Sequence, residues 1–204
     1  MARRRSSRRG GRGYRARRVN AWEPVQRFLI VCEGERTEPN YFNSFRVPKL
    51  VIHVRGYGLS PNALVKRAEK EREADDYDQV WCVFDRDNRQ AGVFNEAITR
   101  AKNKGIQVAY SNEAFELWYL LHFHYYDTAV SRTQYAAKLG GLLGHPYRKN
   151  SETIFEELHT RQTEAIHNAE RLLSQYSPPN PAADNPSTTV HKLVEQLNRF
   201  TVTR

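Results

Sequence analysis

Apolar positions along this chain fall into short unbroken blocks, each followed by a polar stretch with helical spacing. Residues Phe28–Cys32, with Arg27 ahead of them, are wholly apolar, rich in branched side chains and too short for a helix. They predict a buried strand. Thr37 is placed to cap a following helix whose first turn holds Glu38, Pro39 and Asn40. Lys49–Arg55 reads as a second strand, and Gly56-Tyr57-Gly58 as a turn. Ser60-Pro61 opens a helix to about Glu73, a hydroxyl cap with proline at the first helical position. Gln79–Asn88, QVWCVFDRDN, is a third apolar strand running into acids. A helix near Ala91–Lys104, closed by Gly105, and a fourth strand at Ile106–Tyr110 complete an alternating β-α order. That alternation predicts a doubly wound parallel sheet. Right-handed crossovers and the strand order 2-1-3-4 would set the first and third strands side by side.

Ser111–Phe123, SNEAFELWYLLHF, predicts a mostly buried helix capped by Ser111 or Asn112. Beyond it, a helix near Arg132–Leu143 ends at the Gly144-His145-Pro146 break, and Ile154–Tyr176 contains another. Ser177–Asp184 is a proline-rich loop. Residues 185–189 then cap a final amphipathic helix carrying Val190, Leu193, Val194 and Leu197 on one face. The expected organisation is an Arg-rich tail (1–20), an α/β core (21–125) and a helical extension packed on it (126–204).

The acids change the picture. Glu33 follows the first strand directly, and a carboxylate does not end an apolar strand for packing reasons. Asp85 and Asp87 end the third strand two residues apart, and in extended backbone they would point to one side. In open α/β sheets ligands bind at this strand-end edge. Three carboxylates converging there would repel at neutral pH unless a divalent cation sat among them, and hard oxygen donors suit Mg²⁺ or Mn²⁺. Glu113 and Glu116 face the same edge as further candidates. Glu113 would otherwise serve only as an N-terminal helix charge, and Glu116 as a partner to a lysine or arginine.

Charge is unevenly placed. Of 32 Lys and Arg residues, nine (Arg3, Arg4, Arg5, Arg8, Arg9, Arg12, Arg15, Arg17 and Arg18) lie in the first 18 positions, where there is no acid. The remaining 23 match 23 acidic residues, so the whole excess of +9 belongs to the tail. Such an Arg/Gly/Ser-rich segment is expected to be disordered alone and to contact nucleic-acid phosphates without sequence preference. Its alternatives are a solubilising tail or one that docks on an acidic partner surface. No apolar run is long enough for a membrane span and no signal-peptide core follows the basic start. Cys32 and Cys82, both in predicted strands, read as reduced core thiols of a cytoplasmic protein. The seven histidines show no metal-site spacing, and there is no Walker loop, dinucleotide fingerprint or nucleophile elbow.

Four strings, CEGERTEPNYF (32–42), FDRDN (84–88), SNEAFELWYLLHF (111–123) and NPSTTVHKLVEQL (185–197), resemble the RloB-like family of prokaryotic defence proteins. A first-strand Glu-Gly with DxD on the third strand also resembles the Toprim fold of topoisomerases, primases and overcoming-lysogenization-defect nucleases. The resemblance implies a Toprim-like sheet of about four strands. It implies Glu33 as general acid/base or metal-proximal glutamate, Asp85 and Asp87 as metal ligands, and Glu38 as the second acid of the first motif. It further implies Mg²⁺-dependent phosphodiester cleavage of DNA or RNA, tRNA included, in anti-phage defence, often beside an ABC-type ATPase. A metal-dependent phosphatase is the enzymatic alternative, although DRDN lacks the following Thr or Val of haloacid-dehalogenase enzymes. A non-catalytic nucleic-acid-binding or regulatory module is the other. The sequence leaves substrate choice and homo-oligomerisation open.

Overall fold

The computed structural model describes residues 25–47 and 50–200; the Arg-rich tail read as a nucleic-acid contact lies outside them. Its strands are β1 (Gln26–Cys32), β2 (Leu50–Gly56), β3 (Gln79–Asp85), β4 (Gln107–Asn112) and the two-residue β5 (Ser187–Thr188). The helices are α1 (Thr37–Asn43), α2 (Pro61–Ala74), α3 (Ala91–Asn103), α4 (Glu116–Leu121), α5 (Arg132–Leu143), α6 (Ile154–Leu158), α7 (Gln162–Leu173) and α8 (Val190–Asn198). The sheet order is β2-β1-β3-β4-β5. The first four strands are parallel, and β5 joins antiparallel. The expected order therefore holds, with one added edge strand.

Strand β1 is apolar at successive positions because both its faces are covered. Phe28, Ile30 and Cys32 belong to one buried cluster with residues of α1, α4, α5, α7 and α8. Leu29 and Val31 belong to the other, under α2 and α3. Tyr135, Leu139, Leu172 and Leu193, all beyond residue 125, share the first cluster with β1. Cys32 and Cys82 are free, buried thiols assigned to opposite clusters. Among the described residues no helix is long and apolar enough to cross a membrane.

Two local expectations change. Ser111 and Asn112 cap nothing: β4 runs through them because Thr188 and Ser187 pair with them, and ladder bonds outweigh capping preference. The helix after them is correspondingly short, and all six of its residues are buried. Thr37 is the first helical residue rather than the cap, and its hydroxyl instead donates to the Lys149 carbonyl at 2.8 Å. The helix expected within residues 154–176 is α7, preceded by the short α6 and a 3-10 turn at His159–Arg161.

Burial holds two histidines neutral. His122, bonded through Nδ1 to the Trp118 carbonyl, and His191 each have a pKa pushed down to about 4, chiefly by loss of solvent. The unfolded chain then binds more protons between pH of about 6.5 and 4. Their contribution is complete above that window and is lost as pH falls through it. Urea melts at pH 7 and pH 5 should show a drop in stability that is smaller in His122→Gln by about 2 kcal/mol. Equal drops in both proteins would mean His122 is not held neutral.

Candidate functional site

The crevice between β1 and β3 lies where the connections after these two strands run to opposite sides, β1 to β2 and β3 to β4, the binding edge of a doubly wound sheet. Glu33 extends β1 by one ladder bond, its amide donating to the Val83 carbonyl at 2.8 Å. This sets its carboxylate over the end of β3, where Oε2 accepts from the Asp85 amide at 3.2 Å. Its other oxygen is ion-paired with Arg89.

Asp85 is the last residue of β3 and only 7% exposed. Its Oδ2 accepts from the Phe115 amide at 3.2 Å and from Arg132 Nη2 at 3.1 Å. Its Oδ1 is buried with no hydrogen-bond partner among the described residues. Burial lifts this carboxyl well above the usual aspartate range; Glu38 and Glu116 lift it further, and Arg132 opposes them.

Asp87 arrives by a different route from the one expected. The extended backbone stops at Asp85. The Arg86 and Asp87 amides donate to the Ser111 and Glu113 carbonyls, turning the chain across the end of β4. Asp87 itself has φ of 46°, a left-handed conformation that aspartate tolerates. Alternation along a strand therefore does not relate the two aspartates; Arg132 Nη2 does, meeting Asp87 Oδ1 at 2.6 Å.

Glu38 is buried because Tyr41 and Phe42, three and four positions on, anchor that face of α1 in an aromatic cluster with Phe45, Phe115 and Phe155. Its carboxylate fills the space where a Cβ on Gly34 would sit, so a larger residue there would displace the carboxylate. Burial raises its pKa, backbone amides counter this, and Glu116 adds to the rise. Glu116, 3% exposed at the start of α4, accepts from the Tyr147 hydroxyl at 3.3 Å rather than pairing closely with the expected cation. Glu113 is not in a helical first turn: it lies between β4 and α4, beside a shallow pocket with Asp87, Asn88, Arg89 and Arg132.

Glu33, Glu38, Asp85, Asp87 and Glu116 thus line one cleft of ≈ 440 Å³, with Arg132 and Lys149 among its walls. A larger hollow of ≈ 740 Å³ beneath residues 143–154 shares Lys149 and Asn150 with it, but none of those five acids lines that hollow. The sequence reading missed Arg89, Arg132, Tyr147 and Lys149. Arg132 lies 47 positions from Asp85, and nothing in its local pattern marks it.

Among the described residues no three Asp, Glu, His or Cys groups are already gathered to hold a metal. The strand-end carboxylates are instead engaged by arginines. The donor set nevertheless fits a hard divalent cation: the cleft's six acids, these five and Glu35, offer only oxygens, outnumber Arg36, Arg132 and Lys149, and leave Asp85 Oδ1 unsatisfied.

The model of the family described as RloB-like protein matches residues 28–197. The chain belongs to the RloB-like family. The RloB-like match opens at the strand that delivers Glu33 and closes in α8, so every cleft acid and Arg132 fall within it. No curated protein and no solved structure matches this RloB-like chain.

Proposed function

We propose that this RloB-like protein is a metal-dependent endonuclease with Glu33, Asp85 and Asp87 at its centre. The observation that carries the reading is the contact of Glu33 with the Asp85 amide, beside a buried and unpaired Asp85 Oδ1, in a carboxylate-lined cleft. Asp85, Asp87 and Glu33 would hold Mg²⁺ or Mn²⁺. Bound there, the ion would supply Lewis-acid polarisation of a phosphoryl oxygen and lower the pKa of water. Glu33 moves the proton, being the acid at the cleft that bridges both strand ends. Arg132 and Lys149 offset phosphate charge at the cleft wall. The arginine tail adds sequence-independent affinity for nucleic acid. Resemblance to the family's defence context extends the proposal to anti-phage action in the cytoplasm, controlled by an ABC-type ATPase.

A second reading has one observation in its favour. Arg89 and Arg132 already neutralise three of the acids, as they would in a non-catalytic binding module. Incubation with plasmid and with tRNA separates the two. Cleavage with Mg²⁺ or Mn²⁺ and none with chelator is expected; intact substrates in every metal, with the ATPase partner present, would leave the binding module.

A further inference from the structure

Arginine 132 is held differently from a structural arginine. Arg27, at the opposite end of the sheet, grips one carboxylate with two nitrogens, meeting Asp75 at 2.8 and 2.6 Å. Arg132 places one nitrogen between two carboxylates, 3.1 Å from Asp85 Oδ2 and 2.6 Å from Asp87 Oδ1. Its Nε is buried with no hydrogen-bond partner among the described residues, so the guanidinium is not satisfied where it sits. The two oxygens it bridges belong to Asp85 and Asp87, the groups that a hard cation would use.

Its attachment is firm while its head is not enclosed. Arg132 is the first residue of α5, whose start is fixed by a capping box of Ser131 and Gln134. Tyr135 and Leu139 bury the helix in the main core. The side chain itself is 34% exposed and lines the cleft. It can therefore leave the aspartates by rotating its own bonds, without any movement of α5.

We propose that Arg132 is a tethered counter-cation occupying the bite between Asp85 and Asp87, and that a divalent cation enters only by displacing it. This rests on the metal-centre reading above. The physical reason is charge. Asp85 and Asp87 line one cleft with Glu38 and Glu116, and without a cation the cluster would repel itself. The guanidinium supplies that cation in the metal-free protein. A divalent ion offers twice the charge to the same oxygens, and both cannot occupy one bite. Once displaced, the guanidinium stays tethered beside the cleft, where it can meet a phosphate oxygen of the substrate.

The test is Mn²⁺ binding to the full chain by calorimetry, with thermal melts alongside. Arg132→Met removes the charge and brings no hard oxygen of its own. Mn²⁺ should bind Arg132→Met about tenfold tighter than wild type. The metal-free variant should melt lower than wild type, and Mn²⁺ should restore the loss, which it would not do for a purely structural arginine. Arg132→Lys keeps a point charge on a shorter stem and should lie between the two, about threefold tighter than wild type. It carries the test if the methionine variant does not fold. Affinity in Arg132→Met or Arg132→Lys that is equal to or weaker than wild type overturns the displacement. Absence of Mn²⁺ binding in wild type and variants alike overturns the metal reading itself, and the displacement with it.

Discussion

Glu33→Gln should lower nucleic-acid cleavage by on the order of 10²–10⁴-fold, the range for removal of a general acid–base group. The substitution preserves much of the local structure. Glutamine has the same length, and its amide oxygen can still accept the Asp85 backbone amide that Glu33 Oε2 accepts at 3.2 Å. What it loses is the negative charge that faces Arg89 and the ability to take a proton. Substrate binding should change little, because the wall cations Arg132 and Lys149 and the N-terminal arginines remain. A loss confined to the rate separates proton transfer from binding. The comparison belongs in the assembly with the proposed ATPase partner, so that a silent resting state is not mistaken for an inactive variant. A Glu33→Gln protein that cuts at the wild-type rate there would remove Glu33 from the chemistry.

Asp85→Asn should make the metal-free protein more stable and abolish most of the stabilisation that Mn²⁺ gives. Asp85 is buried with Glu38 and Glu116 nearby, and one arginine opposes them. Its carboxyl is lifted well above the usual range, so at neutral pH ionising it costs more than Arg132 returns. Asparagine keeps the size and an oxygen for the Phe115 amide and for Arg132, and it carries no charge. The gain should read as a higher Tm of the metal-free variant than of the metal-free wild type. The same change removes an anionic ligand, so added Mn²⁺ should then raise Tm little. Melts of both proteins with and without Mn²⁺ decide it. An undiminished metal-induced shift in Asp85→Asn would exclude Asp85 as a ligand.

The strands that carry this site could be read from sequence because their burial is extreme. Covered on both faces, β1 and β3 are apolar at almost every position, and acids directly after such runs stand out. Glu38 and Glu116 were legible only as candidates, because a sequence does not say which way the start of a helix faces. Tyr41 and Phe42 turn Glu38 inward. Strand β5 could not be seen: two residues, Ser187 and Thr188, carry no period, and a cap reads the same locally. Its pairing is what draws Ser111 and Asn112 out of the predicted helix. The arginines were hidden for a different reason. Contacts spanning 47 positions, such as Arg132 to Asp85, depend on where α5 docks, and docking is set by Tyr135 and Leu139 in a shared core.

The most direct measurement is anomalous diffraction from crystals of the protein grown or soaked with Mn²⁺. The expected result is an anomalous peak bounded by the carboxylates of Glu33, Asp85 and Asp87, with the Arg132 guanidinium turned away from both aspartates. A cleft without a peak at saturating Mn²⁺, with Arg132 still bridging Asp85 and Asp87, would contradict a metal centre at this sheet edge.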